Sequence, residues 1–295
     1  MAQAAPTALL AAWGRKIPRA VVGNGYDAPP RSTPMAAYAP SRVGPSGGLE
    51  AREAQSLAAV NQTFARLRKP RLETFADLFR TEGYFLTTFQ EIDCYPERAR
   101  REPTHPGYLG ALATVDVGRK VMWRNRGQRR LFAYLRPRRA NARAAIEAFV
   151  GLPNEWDVIV AAPGLRPDDI ASRPRPGLRL LNGTAMIAPL LSDCDVGVSH
   201  GSHGMAAQFV GAGVPQICLP NHLEQSMTAR ALANNRLALS LIGEFSAAQI
   251  RDGILRVAGL PKLKENNQMV AARLTANDMR RAAERIAGDL LNLAG

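Results

Sequence analysis

The residues with the clearest chemistry lie between Asp195 and Arg230, where histidines and glycines surround a strand-to-helix turn. An apolar run, DVGVS, delivers His200, Gly201, Ser202, His203, Gly204 and Met205 into that turn, ahead of a helix expected over Ala206 to Val210. Gly201 and Gly204 let the backbone come close to a ligand. The first N–H groups of the helix, at its positive dipole end, then face any bound diphosphate. His200 can donate to a phosphate oxygen from the strand end. Gly211 and Gly213 end the helix, Val214 and Pro215 turn the chain, and Gln216 to Leu219 make the next strand. Its exit loop carries Asn221, His222, Glu224 and Gln225. A carboxylate beside an amide can hold a pair of sugar hydroxyls through directional hydrogen bonds.

Such a turn needs a sheet to hold it, and the second half of the chain provides the pattern. Strands are expected over Arg130 to Leu135, Asp157 to Ala161, Leu178 to Leu181 and Val196 to Ser199, with helices over Ala140 to Phe149 and Ile187 to Cys194. The short, nearly continuous apolar runs suit parallel strands buried on both faces, and ligands of such sheets bind at the strands' carboxyl ends. Asp193 and Asp195 spell Asp-x-Asp, but one ends a helix and the other begins a buried strand, so no metal site is expected.

The first half is less regular. A helix over Pro6 to Trp13 precedes a strand over Arg19 to Gly23, a Pro- and Gly-rich loop over Pro29 to Gly48, and an amphipathic helix over Leu49 to Leu67. Leu57, Val60, Phe64 and Leu67 share one face of that helix. A short helix over Thr74 to Phe79 and a strand over Tyr84 to Phe89 follow, and the polar, basic stretch from Cys94 to Gln128 is read as an interdomain linker.

No apolar run approaches the roughly 20 residues that span a bilayer. The first residues, MAQAAPTALLAAWG, lack a basic segment before their apolar centre and read as a helix, not a secretory signal. Three cysteines without paired spacing, Cys94, Cys194 and Cys218, fit a reducing cytoplasm. The net charge of +13 has its densest cluster in an arginine-rich stretch, Arg98 to Arg139, that lacks the interleaved aromatic stacking pattern of single-strand binders, so a nucleic-acid partner is not expected.

The segment HGSHGMAAQFVGAGVPQICLPNHLEQ resembles the donor-binding box of the nucleotide-diphosphate-sugar glycosyltransferases that include plant, macrolide and sterol glycosyltransferases. VVGNGYDAPP, the Glu91, Asp93, Tyr95 triplet and LFAYLRP are similar to bacterial members of that family. The resemblance implies an α/β chain of GT-B type with two Rossmann-like parallel-sheet domains, the first truncated. It divides the chain into a partial acceptor-binding domain with linker over residues 1–120 and a donor-binding domain with a carboxyl-terminal helix over residues 121–295. It gives His200, Gly201, Ser202, Gly204 and Met205 the diphosphate, the last two through their amides. Gln208 falls on a ribose-binding carboxylate, and Glu224 with Gln225 on the donor-sugar hydroxyls. The family commonly has Gly at Ser202 and Ser or Thr at Met205, so one hydroxyl contact to phosphate is lost.

The implied reaction is transfer of a sugar from a UDP- or dTDP-type donor, with inversion and without metal or cofactor, to a hydroxyl of a lipophilic or polyketide-like acceptor. In the family a His near the start of the acceptor domain is the general base. Here the sole histidine before position 200 is His105, in the sequence PTHPG. The alternative is therefore a truncated binder of nucleotide sugars that does not catalyse, or a subunit completed by a second protein chain.

Overall fold

The computed structural model describes residues 5–37, 47–101, 107–112, 118–124, 129–137, 141–166, 175–274 and 276–294. His105, residues 38–46 of the Pro- and Gly-rich loop and the first four residues lie outside them. The chain divides into two compact units, Met1–Leu112 with Asn277–Gly295, and Ala113–Ala276.

In the first unit, helix α1 (Pro6–Ala12) opens on a proline, whose missing N–H costs nothing in a first turn. Strand β1 (Ala20–Gly23), helix α2 (Gly47–Arg66), the single turn α3 (Phe75–Leu78), strand β2 (Gly83–Leu86) and the single turn α4 (Arg98–Arg101) follow. β1 and β2 run parallel, with Ala20 opposite Gly83 and Gly23 opposite Leu86, and every residue of both is buried. The expected apolar face of α2 packs through Leu57, Val60 and Phe64 onto Leu9, Leu72 and Leu86. Leu67 does not join it, because the helix ends at Arg66 and leaves that side chain exposed.

The stretch read as a linker begins inside this core. Arg98 is 1% exposed, and its guanidinium pairs with Asp93, also buried, while donating to the Ala28 carbonyl at 2.8 Å. Tyr108 donates its hydroxyl to the same carboxylate at 3.0 Å, and burial followed by the Asp93 charge holds its phenol above the ordinary range. An arginine run that looks solvated in sequence thus supplies one member of a buried network, because a carboxylate and carbonyls neutralise it there.

The second unit is built from strand β3 (Arg129–Tyr134), helix α5 (Ala142–Val150), strands β4 (Trp156–Ala161) and β5 (Leu178–Leu181), and the single turn α6 (Ala188–Leu191). Strand β6 (Val196–Ser199), helix α7 (His203–Gly211), strand β7 (Gln216–Cys218), helix α8 (Leu223–Asn234) and strand β8 (Ala238–Ser240) continue it. Helices α9 (Ala247–Ala258) and α10 (Pro261–Arg273) complete it. All six strands are parallel, in the order β5-β4-β3-β6-β7-β8. This is the doubly wound order, with its reversal between β3 and β6.

The period of two along the strands divides the core. Leu131, Ala133, Val158, Val160, Val196 and Val198 face α5 and α9, where Phe149, Ile250 and Ile254 meet them. Phe132, Ile159 and Ala161 face the other way, toward Leu190, Met205 and Phe209. Both faces are covered, which is why the strands read as unbroken apolar runs. α8, β8, α9 and α10 have no counterpart in the expectations above, although Ser246 and Gln249 form a capping box at α9 and Pro261 opens α10.

The last helix, α11 (Ala276–Ala294), belongs to the first unit, where Ile286, Leu290 and Leu293 cover Ala20, Val22 and Phe85. No helix of the described residues is long and apolar enough to cross a membrane.

Asn141 precedes α5 at a φ of 65°, donates to the Gly243 carbonyl at 2.6 Å and accepts from the Phe245 N–H at 3.0 Å. Asn141→Ala should therefore cost about 1–3 kcal/mol in urea unfolding, since a left-handed alanine is strained and two partners lose their bonds. Burial pushes the thiols of Cys194 and Cys218 up to about 12. Thiolate is the reactive form, so at pH 8 both should resist a thiol reagent until the chain unfolds.

Candidate functional site

The reversal of strand order opens a crevice where the chain leaves β3 in one direction and β6 in the other, so their exits are the first place to look for a ligand site. Tyr134 and Arg136 leave β3, His200 and Ser202 leave β6, and Asn221, His222 and Gln225 lie after β7. Together they line a cleft of about 280 Å³.

The turn after β6 is fixed by backbone geometry. Gly201 has a φ of 74°, and a Cβ there would lie 3.4 Å from both the Cys218 Cβ and the Gln225 carbonyl oxygen. Its N–H donates to the Ser199 hydroxyl at 3.0 Å. Ser202 is the extended N-cap of α7, and its side chain makes no capping hydrogen bond. The helix begins at His203, three residues earlier than the sequence pattern suggests, which puts Gly204 and Met205 in the first turn, where N–H groups have no intrahelical acceptor. A Cβ on Gly204 would meet nothing within 4 Å, so that side of the turn is open.

His200 is 5% exposed and ties three strand exits together. Its Nε2 accepts the Arg136 backbone N–H at 2.9 Å. Nδ1 lies 3.0 Å from the Leu219 carbonyl and 2.8 Å from the Asn221 side-chain amide. A nitrogen that accepts an N–H carries no proton, so the neutral ring has its hydrogen on Nδ1 and donates it to Leu219. With Nδ1 protonated, the Asn221 amide has to meet the ring with its oxygen in place of the nitrogen that stands 2.8 Å from Nδ1, which also gives a partner to an oxygen otherwise buried without one.

The residues singled out in sequence are distributed as follows. His200, Ser202 and Gln225 line the cleft. Gly201 shapes its floor without lining it, and Gly204 offers an amide. The Met205 side chain turns inward and packs with Phe132 and Phe209, so only its backbone can serve a ligand. Gln208 lies one turn further along α7, half-buried. Glu224 and Gln225 stand in the first turn of α8, not in a loop, because the helix starts at Leu223. Gln225 accepts the Asn221 N–H through its side-chain oxygen at 2.9 Å, which leaves its NH₂ group to offer to a ligand.

Asp193 and Asp195 are both occupied with Arg130, the first through its guanidinium at 3.0 Å and the second through its backbone N–H at 3.0 Å. Among the described residues no group of three or more His, Cys, Asp or Glu side chains is arranged to hold a metal ion. Arg136 and Tyr134 were not anticipated, although their place at the end of LFAYLRP, a strand exit in a parallel sheet, is where a ligand contact belongs.

Comparison with solved structures places the whole chain. The glycotransferase of kitacinnamycin superposes with a TM-score of 0.67 at 17% identity, covering 97% of this chain and 74% of that one. The calicheamicin glycosyltransferase CalG4 gives 0.66 at 16%, with 97% and 71% covered. SnogD from Streptomyces nogalater gives 0.58 at 18%, with 96% and 72% covered. The fold is therefore that of the GT-B glycosyltransferases. Residues 147–292 match the family described as erythromycin biosynthesis protein CIII-like, C-terminal domain. No curated protein matches the sequence significantly.

Proposed function

We infer that the cleft at the exits of β3 and β6 binds a nucleoside-diphosphate sugar and that the chain transfers its sugar to an acceptor hydroxyl with inversion. The observation that carries this reading is the uncapped amino terminus of α7, whose N-cap, Ser202, lines that cleft. The amides of Gly204 and Met205 receive the diphosphate there, in the field of the helix dipole. Gln225, with Glu224 beside it, takes sugar hydroxyls, and Gln208 reaches the ribose. A UDP or dTDP donor suits the site. A solved relative in fold, VinC, is described in complex with dTDP and superposes with a TM-score of 0.58 at 16% identity. The acceptor in this reading is a lipophilic or polyketide-like alcohol.

The test is release of nucleotide from UDP-glucose and dTDP-glucose by the full chain, with and without a panel of aglycone alcohols. Acceptor-dependent release supports transfer. In the first 199 residues His105 is the sole histidine, which favours a second reading, a binder that needs another chain to supply the base. Tight binding of the donor with no release would select that second reading.

A further inference from the structure

The charge that recognises the diphosphate need not come from the histidine at the strand end. Resting on the donor-site reading above, we propose that the Arg136 guanidinium is the cation that engages the diphosphate, and that His200 is a positioning residue that fixes the loop carrying it. The Nε2 lone pair of His200 is committed to the Arg136 N–H at 2.9 Å, and its Nδ1 faces the Leu219 carbonyl at 3.0 Å. A ring held in this way has no proton left to give a phosphate. Its bond to the Arg136 amide instead sets the backbone at the exit of β3, directly before an exposed guanidinium that lines the same cleft. Among the described residues no carboxylate lines that cleft or pairs with Arg136. The guanidinium is therefore available to an anion, and its fork of donors fits two phosphate oxygens at once.

The experiment is isothermal titration of the full chain with UDP, dTDP and the corresponding nucleosides, for wild type, Arg136→Gln, Arg136→Lys and His200→Gln, at low and high salt. Arg136→Gln should weaken the diphosphates about ten- to a hundred-fold, the loss that follows removal of a charge-assisted bond. It should leave the nucleosides unchanged and flatten the salt dependence, and Arg136→Lys should recover part of the loss. His200→Gln can still accept the Arg136 N–H and donate to Leu219, so its affinity should stay within about three-fold of wild type. Equal diphosphate affinity in wild type and Arg136→Gln would overturn the assignment while leaving the donor site standing. So would a loss confined to His200→Gln in a variant that melts like wild type. A wild-type chain that binds no nucleotide would instead overturn the donor-site reading itself.

Discussion

Arg98→Ala is expected to lower the unfolding free energy by about 3–5 kcal/mol, the usual result of stripping one partner from a buried ion pair. The side chain is 1% exposed, and truncation leaves the Asp93 carboxylate buried with the Tyr108 hydroxyl and the Tyr95 N–H as its remaining donors among the described residues. It also strands the Ala28 carbonyl, which accepts from the guanidinium at 2.8 Å. Gly25 closes the arrangement, since a Cβ there would come within 2.3 Å of the Asp93 carboxylate. Urea unfolding of Arg98→Ala, Asp93→Ala and the double variant checks this. The double variant should cost clearly less than the sum, because the second truncation removes the charge that the first left unpaired. Additive losses would show that the two side chains do not act as a pair.

Gly197→Val is expected to damage stability and nucleotide binding together. Gly197 sits in β6, and a Cβ at that position would lie 2.4–2.6 Å from the Phe209 ring. Phe209 is fully buried, and its ring packs 6.2 Å from that of Phe132, so it has nowhere to withdraw. The strain must push α7 away from the sheet. Overpacking of this kind costs about 1–3 kcal/mol. The same displacement moves the first turn of α7, with the Gly204 and Met205 amides, away from the cleft. A melting curve should record the first effect and titration with dTDP the second. A variant that loses stability but binds as wild type would show that the helix terminus does not hold the phosphates.

How much of this was legible in sequence depended on whether the cause was local. The strands of the second unit were readable because burial on both faces writes itself as a short apolar run, as in DVGVS. The turn was readable because Gly201 stands where a left-handed residue is needed. Gly197 looked like one more residue of a strand, and its reason is a ring on the following helix. Arg98 sits in the run RARR, which reads as solvated until Asp93 and the Ala28 carbonyl are brought to it by the fold. Glu224 and Gln225 read as loop residues, because the helix that carries them has a weak apolar face and His222 at its N-cap. The hydrogen bonds of the His200 ring were not readable for the same reason, since they come from backbone groups at two other strand exits.

Binding of a nucleoside diphosphate in the cleft beside α7 is tested by the melting temperature of the full chain with UDP, dTDP, uridine and thymidine. A ligand at a hundred times its dissociation constant adds about 2.7 kcal/mol to folding, so a true site is visible in a simple thermal scan. The expected result is a concentration-dependent rise with UDP or dTDP that is larger than with either nucleoside. No rise with any nucleoside diphosphate would contradict it.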